Sequence, residues 1–125
     1  MCTILLFGSD LNLYELLDWL PDSFGLDVRR AWSLPEGMRI LNDQIIDLVV
    51  VDYSIQKNGL SMISEVTTCD PHPPIIATFS ARDTPHINMV KFPQMIGASY
   101  TFEKPVNKRL FQDAFLELMC YPTDN

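Results

Sequence analysis

Residues 45–52, Ile45-Ile46-Asp47-Leu48-Val49-Val50-Val51-Asp52, form the most apolar run in the chain and constrain its fold more than any other segment. A continuous run rich in β-branched residues reads as a strand buried on both faces, as in a parallel sheet covered by helices. A carboxylate at the carboxyl end of such a strand lies at the edge where open α/β folds hold their ligands. Two later segments repeat the arrangement. Pro74-Ile75-Ile76-Ala77-Thr78-Phe79 runs into Ser80, and Tyr100-Thr101-Phe102-Glu103 runs into Lys104-Pro105. A carboxylate, a hydroxyl and an ammonium at three successive strand ends suit an anionic group, with phosphate the obvious candidate.

A chain of 125 residues supports one hydrophobic core and leaves no room for a second module, so residues 1–125 read as a single domain. Pro71-His72-Pro73-Pro74 would divide it into halves too small to be domains, and reads instead as the loop entering the next strand. The hydrophobic fraction of 47% supports a compact fold. A net charge of −7 argues against direct binding to a nucleic-acid backbone. Cys2, Cys69 and Cys120 are odd in number and widely spaced, which favours a reducing, cytoplasmic setting over a disulfide framework. No stretch reaches the roughly 20 apolar residues of a membrane span, and Met1-Cys2-Thr3 leads into a strand rather than a signal peptide.

Thr3 to Phe7 reads as the first strand, followed by the turn-and-cap cluster Gly8-Ser9-Asp10. Leu13, Leu16, Leu17 and Leu20 share one helical face up to Pro21. Leu26 to Trp32 is a second strand. Ser33-Leu34-Pro35-Glu36 then forms a capping box ahead of a helix burying Met38, Ile40 and Leu41. Leu60 to Val66 is a third helix, and Pro85 to Ile96 should hold a fourth, shortened or kinked by Pro93. Asn107 caps a last helix bearing Leu110, Phe111, Ala114, Phe115, Leu118 and Met119. Five strands alternating with five helices predict a doubly wound parallel α/β sheet.

The ordered set Asp47–Asp52 with Gly59-Leu60, Ile75-Ile76 to Ser80-Ala81-Arg82, and Gly97-Ala98-Ser99 to Lys104-Pro105 resembles the receiver domain of two-component response regulators. The likeness runs from Ile4 to about Met119. It implies a flavodoxin-like sheet of order 2-1-3-4-5 and a protein that is not an enzyme but acts through protein–protein contact. Asp52 would be the phosphoacceptor, with a histidine kinase or phosphotransfer protein as donor. Ser80 and Lys104 would bind the phosphoryl group, and the Lys104-Pro105 bond would be cis. Mg²⁺ would sit on Asp52, a nearby acidic side chain and the backbone carbonyl of Ser54.

Several positions depart from that pattern. The family's acidic pair after the first strand is replaced by Gly8-Ser9, leaving Asp10 one step further on. Asp10 as a helix N-cap is favoured about two to one over Asp10 as a metal ligand, given how common such caps are. Mg²⁺ demands near-octahedral oxygen ligands, so its site should be weak or absent. The Asp52–Gly59 loop is one residue shorter than usual. Thr101 stands where an aromatic residue normally moves with the hydroxyl, and Tyr100 and Phe102 point to the other face. A degenerate receiver, docking without phosphorylation, is therefore the alternative. A haloacid-type phosphatase would need an Asp where Ser54 stands, and a Rossmann enzyme would need glycines after the first strand. Arg29-Arg30 reads as a pair of solvated charges. Met89, Val90, Phe92, Met95 and Ile96 form an apolar segment that, with Thr101, suits a downstream protein, a second receiver or a homodimer.

Overall fold

In the computed structural model the described residues are 2–8, 25–52, 59–69, 71–79 and 97–120. They form β1 (Cys2–Phe7), β2 (Leu26–Ala31), α1 (Leu34–Asp43), β3 (Leu48–Asp52), α2 (Gly59–Thr67), β4 (Ile75–Phe79), β5 (Tyr100–Glu103) and α3 (Lys108–Cys120). The sheet has order β2-β1-β3-β4-β5, and every neighbouring pair is parallel. This is the predicted flavodoxin-like order. Three of the five expected helices lie in the described residues, and the other two fall outside them.

Parallel strands need helical crossovers, so helices cover both faces and the central strands are apolar throughout. β3 and β4 are buried along their whole length. Alternation divides their side chains between two cores. One holds Leu5, Phe7, Val49, Val51, Ile75, Ala77 and Phe79 with Met62, Ile63 and Val66 of α2. The other holds Ile4, Leu6, Leu48, Val50 and Ile76 with Phe111, Ala114 and Phe115 of α3. Burying a side chain the size of Phe111 or Phe115 contributes roughly 1.5–3 kcal/mol.

The helix ends follow from local chemistry. Ser33 Oγ accepts from Glu36 N at 3.3 Å, while the Glu36 carboxylate accepts from Trp32 N at 2.7 Å. The reciprocal cap is thus present, but the carboxylate reaches one residue before Ser33. Asn107 Oδ1 accepts from Leu110 N at 3.0 Å, the predicted cap of α3. Gly37 of α1 faces Met62 of α2, and a Cβ there would lie 2.9 Å from Met62 Cε. Gly37 is buried, whereas Met38, Ile40 and Leu41 are only partly so.

Two expectations are corrected. The apolar run does not enter the sheet at Ile45, which is 85% exposed; the strand starts at Leu48. Asp47 explains the late start. Its backbone N donates to Thr3 O at 2.8 Å and its carboxylate accepts from Thr3 N at 2.8 Å, so it closes the amino end of the β1–β3 pair. Leu110, expected on the buried side of the last helix, is 55% exposed.

Candidate phosphoacceptor site

Asp52 is the last residue of β3 and stands in register with Thr78 of β4. It is only 5% exposed, and Asp52 and Thr78 are the buried polar or charged residues among those described. A buried carboxylate is costly without a partner of opposite charge. Lys104 provides one, its Nζ lying 2.8 Å from Asp52 Oδ1. The pair spans the sheet. Lys104 follows β5, and its backbone N donates to Phe79 O at 2.8 Å, which fixes its Cα beside β4. Its ammonium must then pass over β4 to reach β3, two strand spacings or roughly 10 Å away. A long unbranched side chain with a terminal charge meets that requirement. The Lys104-Pro105 bond is cis, as expected.

Gly8 closes the other side of Asp52. It has φ +135°, a region that favours glycine. A Cβ at Gly8 would stand 2.5 Å from Asp52 Cβ, closer than two carbon atoms can approach. The first position of the family's acidic pair therefore has no room for a side chain in this backbone.

Arg30 is not the solvated charge expected from the sequence. Its Nη2 donates to Gly8 O at 3.3 Å, and its guanidinium stacks 4.5 Å from the centroid of the Trp32 ring. Arg30 is half-buried. The available signal was its spacing: Arg30 shares strand parity with Leu26 and Val28, which pack against the α3 core. By the same alternation Gly8, Asp52 and Thr78 continue the rows of Leu6, Val50 and Ile76 on that face.

Two hydroxyls complete the picture. Thr78 Oγ1 and Thr101 Oγ1 are buried with no hydrogen-bond partner among the described residues. Thr101 sits on β5 opposite Ala77, while Tyr100 and Phe102 pack towards α3 as alternation predicts. Ser80, Asp10, Ser54 and residues 89–96 lie outside the described residues, so the structure brings together Asp52 and Lys104 from the predicted set. Among the described residues no group of three His, Cys, Asp or Glu side chains could hold a metal ion. For Mg²⁺ the described residues supply the single carboxylate of Asp52, already bonded to an ammonium, which by itself does not fit an octahedral oxygen site. No helix among the described residues is long and apolar enough to cross a membrane.

No protein-family profile matches the sequence. Two curated relatives, the transcriptional regulatory proteins GlrR of Escherichia coli K12 and QseF of Escherichia coli O157:H7, are each 34% identical over 74 residues. Those residues are 58% of this chain and 17% of either relative, so the chain matches only a minor part of their length. Among solved structures, a response regulator described as putative from Chloroflexus aurantiacus superposes with a TM-score of 0.78 at 19% identity, covering 96% of this chain and 98% of that one. The receiver domain of NtrX from Brucella abortus gives 0.76 at 19% identity, covering 95% and 99%. A response regulator receiver domain protein from Clostridium thermocellum gives 0.75 at 23% identity, covering 96% and 95%. The chain has the fold of a response-regulator receiver domain, and the curated relatives its sequence matches over 74 residues are transcriptional regulatory proteins.

Proposed function

We propose that this chain is a two-component receiver whose Asp52 accepts a phosphoryl group and whose output is a protein–protein contact. The observation that carries the reading is the 2.8 Å pair between Asp52 and Lys104, a nucleophile and a charge clamp brought together across β4. In the transfer, an Asp52 carboxylate oxygen attacks phosphorus of a phosphohistidine on a kinase or phosphotransfer protein. The P–N bond breaks, an acyl phosphate forms, and the proton taken up by the imidazole comes from solvent. The nucleophile and the phosphoryl group are both anionic, so the transfer needs fixed positive charge, which Lys104 contributes. Ser80 donates a second hydrogen bond to the phosphoryl oxygens in this proposal.

Mg²⁺ belongs to the proposal only as a weak ligand of Asp52, Asp10 and the Ser54 carbonyl. When bound it would neutralise charge on the transferring group. Receiver domains are signalling modules rather than enzymes, and the chain is assigned no catalytic turnover, a cytoplasmic setting, and a single domain over residues 1–125. The output contact is assigned to residues 89–96 and the neighbourhood of Thr101, engaging a downstream protein or a second receiver. A groove of about 320 Å³ on the α3 side of β5, lined by Tyr100, Phe102, Leu110, Asp113, Ala114 and Glu117, supports a contact at this edge of the sheet.

Intact mass after incubation with acetyl phosphate tests the reading. One added phosphoryl group, lost in Asp52→Asn, is expected. An unmodified chain under all conditions, with or without Mg²⁺, would falsify the phosphoacceptor role.

A further inference from the structure

Thr78 is fully buried, and its Oγ1 has no hydrogen-bond partner among the described residues. A buried hydroxyl in that state costs stability, and valine would have nearly the same shape without the cost. Its place in the sheet supplies a reason for keeping it. Thr78 is the β4 residue in register with Asp52 of β3, on parallel strands roughly 5 Å apart. Paired residues of parallel strands project to one face, as Val50 and Ile76 do two positions earlier in the α3 core. The hydroxyl therefore stands beside the carboxylate, within reach of a hydrogen bond after a rotation about χ1, yet it makes none. Lys104 Nζ holds Asp52 Oδ1 at 2.8 Å instead, from a side chain that passes over β4. Thr101 differs in its surroundings, because its register partner is Ala77, on the opposite face of the sheet.

We propose that the Thr78 hydroxyl is a standby donor for the Asp52 carboxyl group, engaged when the Lys104 ammonium leaves it. The inference deepens the proposed function, and its role in signalling rests on that assignment of Asp52. In the acyl phosphate one carboxyl oxygen bridges to phosphorus and the other becomes a carbonyl. The negative charge moves outward onto the phosphoryl oxygens. The ammonium follows that charge, because hydrogen bonds to ionised oxygens are about twice as strong as those between neutral groups. The carbonyl oxygen left behind stays beside β4, where Thr78 donates to it without crossing a strand. The same hydroxyl thus weakens the unmodified fold and strengthens the phosphorylated one. That difference between the two states is what biases an equilibrium between them.

A double-mutant cycle in urea tests the donor without phosphorylation, since Lys104→Met takes the ammonium away from Asp52. In the natural chain Thr78→Val should raise the urea midpoint by about 0.7 M, and in the Lys104→Met background it should lower it by a similar amount. Thr78→Ser keeps the hydroxyl and should shift the midpoint equally in both backgrounds. A gain from Thr78→Val of the same size in both backgrounds overturns the inference. A second measurement leaves Lys104 in place. The natural chain and Thr78→Val are unfolded by heat with and without acetyl phosphate, and intact mass follows the labelling. Thr78→Val should be the more stable protein when unmodified and the less stable one when labelled. The same order of stability in both states also overturns the inference. A natural chain that takes up no phosphoryl group ends the Asp52 reading alone, because the urea cycle still judges Thr78.

Discussion

Replacing Gly8 with alanine puts a methyl carbon 2.5 Å from Asp52 Cβ, on a backbone whose φ of +135° suits glycine. Two penalties follow, and both can be sized. A non-glycine residue in a sparsely populated backbone region costs about 1–3 kcal/mol. Carbon atoms settle at about 3.5–4.0 Å, so one of the two must retreat by more than 1 Å. Forcing extra volume into a packed site costs about 1–3 kcal/mol more. Asp52 cannot retreat freely, because its carboxylate is bonded to Lys104 and its backbone is in register with Thr78. The sum, about 2–6 kcal/mol, is a large part of the 5–15 kcal/mol typical of a domain. Urea unfolding followed by circular dichroism measures it. With an m-value of about 1.5 kcal/mol/M, a 3 kcal/mol loss lowers the midpoint by about 2 M. The variant Asp52→Gly separates the two penalties, since it removes the colliding carbon and leaves the backbone strain. In a double-mutant cycle the pair should show a coupling of about 1–3 kcal/mol. A cost below about 1 kcal/mol for Gly8→Ala, or zero coupling to Asp52→Gly, would refute the steric account of this position.

Thr78→Val should raise stability by about 1 kcal/mol in the same urea assay, because the buried hydroxyl lacks a partner among the described residues and valine is nearly isosteric. Lys104→Met should lower stability by about 2 kcal/mol at neutral pH, since it removes the ammonium paired with the buried Asp52 carboxylate. Adding Asp52→Asn to that variant should recover most of the loss, and no recovery would show that the ion pair is not the cause. On the sequence reading, Met89→Glu should weaken self-association or partner binding, measured by sedimentation, while Asp52→Asn leaves it nearly unchanged. A chain that stays monomeric at high concentration would sink that last prediction.

The sheet order and the Asp52–Lys104 pair were legible because each rests on a signal carried by a whole segment. An apolar run, a turn and a charged residue at its carboxyl end survive errors of a residue or two at either boundary. Ile45 was misplaced for the matching reason. Hydropathy does not distinguish an apolar residue in the sheet from one just before it, and the deciding contact is a long-range one between Asp47 and Thr3. Arg30 was missed because a charged residue in a short edge strand looks solvated when its neighbours in space are unknown. Its hydrogen-bond partner, Gly8 O, lies 22 positions away. Gly8 could be read as a departure from the acidic pair. That it abuts Asp52 too closely for any side chain needed the register of β1 against β3.

The strand order β2-β1-β3-β4-β5 also bears on how the polypeptide emerges from a ribosome. β1 and β2 emerge first; β3 then takes the free edge of β1, β4 that of β3 and β5 that of β4. Synthesis at about 5–20 residues per second is slow compared with the pairing of short segments. Assembly can therefore proceed by accretion in one direction, without a strand being inserted between two already joined. The last strand to arrive is β5, which brings Lys104 to Asp52. Asp52 thus gains its ion pair with Lys104 only after β5 has been made, so a nascent chain stalled before β5 would expose the β4 edge and lack that pair.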